Sequence, residues 1–380
     1  MESINSKAIP TPLILVKDHK KKKEGKYPVR LICPATNFVA IFDKIGHKGI
    51  KDVLDRNGIN YSNDTIIQAS DLKERLEEMQ IKKGTVTFVS FDAVKMYPSI
   101  TLGMVKIAVE YYCSKIDELN DEDKSIIDTC IEMIEFSMSN TLLMFRGKYY
   151  EYGGDLPVEE KGLTIGGYGS AFLADLVAAY IMEKAEEARL FSLTRFKGIY
   201  RDDGLMCLSG DWNKGDVAGW LADFQNVADD ALKSERLQFT AEVWGSNELD
   251  GSKHEAVSVD DKDYFPFLDM ELYWNGEDLN FRVHMKDNQQ LKYLNMGSEH
   301  TEKCYEAIPN GVFQRLAKLT TIDEDIADKP IDSVYPVHAE AIKEANLTSK
   351  FPKMKEAYDS YVDSKEKKAQ SNQKKKKKKR

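Results

Sequence analysis

Gly198-Ile199-Tyr200-Arg201-Asp202-Asp203-Gly204-Leu205-Met206-Cys207-Leu208 is the stretch on which the reading of this chain turns. Two apolar arms flank the turn tripeptide Asp202-Asp203-Gly204, which predicts a β-hairpin over 196–208 with carboxylates at its tip. Upstream, residues 84–92 are β-branched and aromatic, start at Gly84, and predict a strand that ends at Asp92. Between and beyond these, periodicity predicts helices over 101–117, 122–140, 170–188 and 214–234. Strands are expected over 145–152 and 237–244, with a further hairpin over 267–274 and 279–285 around Asn275-Gly276. From about 300 the pattern turns helical, and no internal repeat is present. Strands and helices alternate irregularly, so the expected class is α+β rather than a parallel α/β sheet.

The chain has 380 residues, a length that allows about two or three domains. Its apolar content of 42% and aromatic content of 10% are those of a chain with a large core, which excludes a disordered polymer, a collagen or a coiled-coil rod. The five cysteines are scattered without a CxxC, which argues against a zinc ribbon and a disulfide framework and fits a reducing, intracellular setting. No basic-then-apolar leader opens the sequence. The stretch 164–182 is apolar but carries Asp175, and a mid-bilayer charge costs ~2.5–3.5 kcal/mol, so a buried helix is expected there and no membrane partner.

Charge is unevenly placed. Lys365 to Arg380 holds ten basic side chains and one acidic, so the other residues carry −18 where the whole chain carries −9. Seven positive and two negative side chains crowd Lys17 to Arg30. The tail over 351–380 reads as a solvated, disordered segment, or as a nucleic-acid or nuclear-import patch.

Asp92 at a strand exit and Asp202-Asp203 at a hairpin tip would place several carboxylates in one site. Such a cluster repels itself unless a divalent cation neutralises it, and hard oxygen ligands select Mg²⁺ or Mn²⁺. Two ions about 3.5–4 Å apart activate a 3′-hydroxyl and stabilise a leaving pyrophosphate, which is nucleotidyl-transfer chemistry. Asp229-Asp230 and Asp260-Asp261 share the dipeptide but lie in a surface helical pattern and a turn, where solvation explains them.

Several blocks in order resemble the motifs of reverse transcriptases. Phe91-Asp92-Ala93-Val94-Lys95-Met96-Tyr97-Pro98-Ser99-Ile100 is similar to motif A, Gly162-Leu163-Thr164-Ile165-Gly166 with Ser170-Ala171 and Ala174-Asp175 to motif B, Tyr200-Arg201-Asp202-Asp203 to motif C, and Phe267-Leu268-Asp269 to the block after it. The flanks resemble Penelope-like elements, whose polymerases are similar to telomerase: Leu15-Val16-Lys17-Asp18-His19-Lys20 and Arg30-Leu31-Ile32 upstream, then Tyr293-Leu294, Ser298, His300, Ile308-Pro309, Gly311 and Arg315. The resemblance covers about residues 12–320.

It implies a right-hand polymerase, with fingers over 1–84, a palm with an antiparallel sheet over 85–288, and a helical thumb over 289–350. It implies an RNA-directed DNA polymerase extending a DNA or RNA primer with dNTPs on an RNA template. Asp92, Asp202 and Asp203 would be catalytic and, with the Ala93 carbonyl, would hold two Mg²⁺ or Mn²⁺ ions. Lys17, Lys20 and Arg30 would reach the triphosphate. Tyr97 would collide with a ribose 2′-hydroxyl, and Gly166 would let backbone approach the nucleotide. Tyr200, Arg201, Ser170 and Arg315 would contact nucleic acid. Plainer readings stand beside these: Tyr97 as a core tyrosine, the glycines as a helix entry, Lys21 to Lys23 as a solvated run.

Departures from the family pattern are Ala171, Asp175, Arg201 and Glu159. They motivate an alternative, a non-catalytic RNA-binding relative; an RNA-directed RNA polymerase is a third reading. No GIY-YIG nuclease block accompanies the motifs, so the expectation is a fragment, a divergent form or a host-adopted copy, with any endonuclease on a separate chain. His19 and His300 lack Cys or His partners at ligand spacing and are expected to pack or hydrogen-bond. Phe145, Tyr149 and Tyr150 could stack bases or pack in the sheet.

Overall fold

The computed structural model describes residues 9–16, 29–34, 38–62, 64–244, 257–260, 263–284 and 318–321, with Glu299, Thr301 and Arg315. The chain divides into two compact units: Met1–Ile67 with Gly84–Lys262, and Gln68–Lys83 with Asp263–Arg380. The expected helices beyond 321, the lysine tail, Lys17, Lys20, His19 and His300 lie outside the described residues.

In the first unit, β1 (Leu13–Val16) and β2 (Val29–Ile32) form a two-stranded ribbon with Leu15 opposite Arg30. Then come α1 (Ala40–Arg56) and, after residues 68–83, β3 (Val86–Ala93), the short α3 (Met96–Ser99), α4 (Leu102–Ser114) and α5 (Asp121–Ser139). The hairpin β4 (Leu142–Phe145) and β5 (Lys148–Glu151) leads to α6 (Ser170–Glu187), β6 (Thr194–Tyr200), β7 (Asp203–Ser209), α7 (Lys214–Leu232), β8 (Phe239–Trp244) and β9 (Val257–Asp260). The central sheet has the order β6-β7-β3-β8-β9; every pair is antiparallel except β8 with β9.

Alternation along β3 decides which side of this sheet is packed. Val89, Phe91 and Ala93 belong to the large buried cluster together with Met206, Leu208, Ala241, Val243 and residues of α1, α4, α5, α6 and α7. The helices therefore cover that face. Phe91 and Phe224 have ring centroids 5.5 Å apart, and Phe224 meets Phe239 at 5.0 Å, so an aromatic cluster braces the strand end that carries Asp92. Helix α6 is the expected buried helix: Leu173, Leu176, Val177 and Ile181 are 2% exposed or less. Each such burial contributes ~1.5–3 kcal/mol. Among the described residues no helix is long and apolar enough to cross a membrane.

Helix starts are set by local polar chemistry. The Asn120 side chain accepts from the Asp123 backbone N–H at 2.8 Å, and Asn213 with Asp216 makes a reciprocal capping box. The strand expected over 145–152 is instead the β4–β5 hairpin, because Arg146 and Gly147 both take positive φ, 52° and 74°, and turn the chain. Phe145, Tyr149 and Tyr150 lie on that hairpin, 37, 61 and 49% exposed, so they do not pack in the central sheet.

The second unit contains α2 (Ala69–Glu78) and a three-stranded antiparallel sheet of β10 (Tyr264–Phe267), β11 (Met270–Asn275) and β12 (Asp278–Val283). The first arm of the hairpin expected around Asn275-Gly276 is itself broken at Leu268, whose φ is 53°, which creates β10. Glu271, 7% exposed, is satisfied by Arg282 Nε at 2.5 Å and His284 Nδ1 at 3.1 Å.

Candidate active site

The acidic hairpin is formed by β6 and β7, but its tip is one residue earlier than the tripeptide suggested. Tyr200 pairs with Asp203, so the turn is Arg201-Asp202, and Asp203 and Gly204 already belong to β7. Arg201 takes φ 56°, a left-handed conformation that side chains rarely adopt. Gly204 has a packing role instead of a turn role. A Cβ there would lie 2.1 Å from Phe91 Cζ, so only glycine lets the Phe91 ring lie flat on β7.

Register brings three expected residues into line. Tyr200 opposes Asp203, Asp203 opposes Asp92, and Asp92 opposes Thr240. Directly opposed residues on neighbouring strands share a face, so this row leaves the sheet on the side away from the helices. Asp92 is exposed and Asp203 half-buried. The turn is tied down beside them, since the Ala93 N–H donates to the Asp202 carbonyl at 3.0 Å. Asp202, Ala93, Arg201 and Met96 also line a cavity of about 10 Å³, roughly the space of one water.

The donor types suit a hard divalent cation: two carboxylates on opposed positions, with a third one residue away. Among the described residues, however, no group of three or more His, Cys, Asp or Glu side chains is gathered closely enough to hold a metal ion. The residues fit such an ion in donor type and strand register, while their side chains are not gathered around a common point.

Arg201 reaches back across the site. Its Nη1 donates to the Tyr97 hydroxyl at 3.0 Å. Tyr97 is half-buried on α3, which Lys95 enters with φ 51°. The Asp175 carboxyl of α6 acts on the same guanidinium through its charge. Burial pushes the Asp175 carboxyl up to about 6; Arg201 draws it down and Asp202 pushes it further up.

The glycine-rich loop before α6 is anchored from the amino-terminal segment. The Cys33 N–H donates to the Ile165 carbonyl at 2.7 Å, and Gly166, at φ 108°, brings its backbone so near that a Cβ would lie 2.6 Å from the Cys33 carbonyl oxygen. The space left by Gly166 is filled by this chain's own backbone. Asp43 of α1 accepts from the Gly169 N–H at 3.0 Å. Burial pushes its carboxyl up, against the pull of the Gly169 N–H, His47 and the Tyr168 N–H. Asp43 escaped the sequence reading, because an acid in an amphipathic helix has no pattern that marks it as half-buried against a distant loop. Ser170 is buried at the first position of α6. Arg30 is exposed on the β1–β2 ribbon. Arg315 belongs to the second unit, where it pairs with Asp269 at 2.9 Å.

No family model and no curated protein matches the sequence. Among solved structures, the chain is similar to telomerase from Candida albicans in complex with a TWJ fragment of telomeric RNA, with TM-score 0.50, 12% identity, and coverage of 80% of this chain and 50% of that one. Telomerase from Candida tropicalis without RNA follows at TM-score 0.47 and 12% identity, covering 92% of this chain and 60% of that one. The RNA-dependent RNA polymerase of BmCPV scores 0.39 at 10% identity, over 82% of this chain and 25% of that one. The chain spans about half the length of the Candida albicans telomerase it matches, and that likeness shows a polymerase-like fold.

Proposed function

We propose that the protein is an RNA-directed DNA polymerase that extends a primer 3′-hydroxyl with dNTPs on an RNA template. The observation that carries this reading is the cross-strand row Tyr200, Asp203, Asp92 and Thr240 with Asp202 at the adjoining turn, in a polymerase-like fold. In this reading fingers, palm and thumb occupy 1–84, 85–288 and 289–350. The Penelope-like retroelement assignment rests on motif order. The telomerase similar in fold was solved with RNA, which supports RNA as template.

The primer oxygen bonds to the α-phosphorus, the bond to the β-phosphate bridge breaks, pyrophosphate leaves, and the hydroxyl proton passes to solvent. Mg²⁺ or Mn²⁺, held by Asp92, Asp202 and Asp203 with the Ala93 carbonyl, would neutralise charge on the attacking and leaving oxygens. Asp92 and Asp203 orient the reacting end from the exposed end of their face of β3 and β7. Tyr97 excludes a ribose 2′-hydroxyl. Arg30, with Lys17 and Lys20, takes the triphosphate charge, Arg30 in bidentate fashion. The Cys33 and Asp43 contacts keep the loop before α6, including Gly166, in place at the nucleotide. Ser170, Tyr200, Arg201 and Arg315 are the proposed contacts to template and primer strands.

The test is primer extension on an RNA template with Mg²⁺ or Mn²⁺, dNTPs beside rNTPs, and wild type beside Asp92→Ala and Asp202→Asn. Extension with dNTPs that vanishes in both variants supports the reading. Full extension by Asp202→Asn sinks the carboxylate assignment. Extension with rNTPs alone makes the protein an RNA-directed RNA polymerase. The non-catalytic reading has in its favour the absence of a gathered three-ligand set among the described residues. It predicts RNA binding that survives Asp92→Ala and falls steeply with salt.

A further inference from the structure

We propose that Arg201 is a specificity-positioning residue: by donating to the Tyr97 hydroxyl from the hairpin tip, it fixes the ring that separates deoxyribose from ribose. The inference rests on the polymerase reading and deepens it, because it assigns the sugar selectivity of the site to two residues instead of one.

Three elements converge to make the contact. Tyr97 is on α3, in the segment that leaves β3 after Asp92. Arg201 is on the turn between β6 and β7, held at φ 56°. Asp175 is on α6 and acts on the guanidinium through its charge. The Arg201 Nη1 to Tyr97 Oη distance is 3.0 Å, a normal donor-acceptor separation. The positive φ matters because it aims the side chain at the start of α3 from a tight two-residue turn. Strain at such positions persists only when the surroundings impose it. Here the Ala93 N–H to Asp202 carbonyl bond at 3.0 Å pins the turn.

A tyrosine excludes a 2′-hydroxyl only if its ring stays where the sugar must pass. The Tyr97 ring packs in part against the hydrophobic core, which limits its torsions at one side, and a neutral hydroxyl left in solvent adds no restraint at its tip. A charged donor on the hydroxyl adds that restraint, and hydrogen bonds to charged groups are the stronger kind. The guanidinium fork can keep one N–H on Tyr97 while its remaining N–H groups stay in solvent. An apolar side chain at 201 supplies no donor, and a lysine can supply one donor without the fork.

The experiment compares single incorporation of dCTP and CTP opposite guanosine on an RNA template with a DNA primer. It uses the full chain as wild type, Arg201→Leu, Arg201→Lys, Tyr97→Phe and the double variant Arg201→Leu/Tyr97→Phe. Arg201→Leu should raise the CTP-to-dCTP ratio of kcat/KM about three- to tenfold, the size of one ordinary net hydrogen bond. Tyr97→Phe, which keeps the ring and removes the hydroxyl, should raise it equally, and the double variant should go no further. Arg201→Lys should fall between. A merely structural role would lower both substrates together and leave the ratio at its wild-type value. An unchanged ratio in Arg201→Leu or in Tyr97→Phe overturns the assignment, as do two effects that multiply in the double variant. A wild type that incorporates neither substrate fails earlier and differently, since it removes the polymerase reading and the selectivity role together.

Discussion

Asp92 and Asp203 are directly opposed on adjacent antiparallel strands, one at the end of β3 and the other at the start of β7. Their side chains leave the same face of the sheet, Asp92 exposed and Asp203 half-buried, so the two carboxylates are neighbours. A divalent cation that binds the folded protein there stabilises it by mass action. Millimolar Mg²⁺ or Mn²⁺ should therefore raise the thermal midpoint of the wild type above its value in EDTA. Asp92→Asn and Asp203→Asn should lose most of that increment while keeping the far-ultraviolet signature of the fold. An equal increment in the variants would place the ion elsewhere.

Gly204 should tolerate no side chain. The Cβ of an alanine would fall 2.1 Å from Phe91 Cζ, and β3 cannot retreat because Phe91 also packs on Trp220 and Phe224. Overpacking of this kind costs about 1–3 kcal/mol. Gly204→Ala should lower the unfolding free energy measured in urea by that much, and Phe91→Leu in the same chain should recover part of the loss. A Gly204→Ala protein as stable as wild type would mean that the ring does not lie flat on β7.

How much of this was legible beforehand depends on distance along the chain. The strand ending at Asp92, the helices from 101 to 140, α6, α7 and the acidic hairpin all follow from local periodicity, and all are present. The hairpin tip was misplaced because Gly204 mimics a turn glycine, whereas its small size serves Phe91. Arg146 and Leu268 break expected strands by adopting positive φ, which their side chains do not advertise. The juxtaposition of Asp92 with the acidic hairpin was legible because each stands at the end of a strand that local pattern predicts. The contacts that shape their surroundings were not: Arg201 with Tyr97 spans 104 residues and Asp43 with Gly169 spans 126. The parallel pairing of β9 with β8 is likewise a tertiary fact that no local pattern encodes.

Asp43 should control the order of the glycine-rich loop. Its carboxylate is the acceptor for the Gly169 N–H at 3.0 Å, at the entry to α6. Removing it leaves that amide without its side-chain partner, a loss of about 1–3 kcal/mol for a hydrogen bond to a charged group. In Asp43→Ala the Gly169 amide should exchange with solvent faster than in wild type, while amides in the middle of α6 keep their protection. Slow exchange at Gly169 in the variant would show that the loop is held by other means.

Acid should loosen the packing of α1 on α5 through Asp123. The Asn57 side-chain amide donates to its carboxylate at 2.8 Å and Arg56 pairs with it, so its pKa is held below the ordinary carboxylate value, first by Asn57 and then by Arg56. Because the folded-state value is the lower one, the unfolded chain binds the proton more readily. The stabilisation is complete above the unfolded pKa of about 4 and is lost as pH falls through the folded value. Asp123→Asn removes that titration but also changes the N–H acceptor geometry, so the informative quantity is the slope and not the level. Urea stability measured from pH 6 down to about pH 3 should fall less steeply in Asp123→Asn than in wild type. Parallel slopes would mean that Asp123 titrates alike in the folded and unfolded chains, and that the ties to Arg56 and Asn57 contribute nothing in solution.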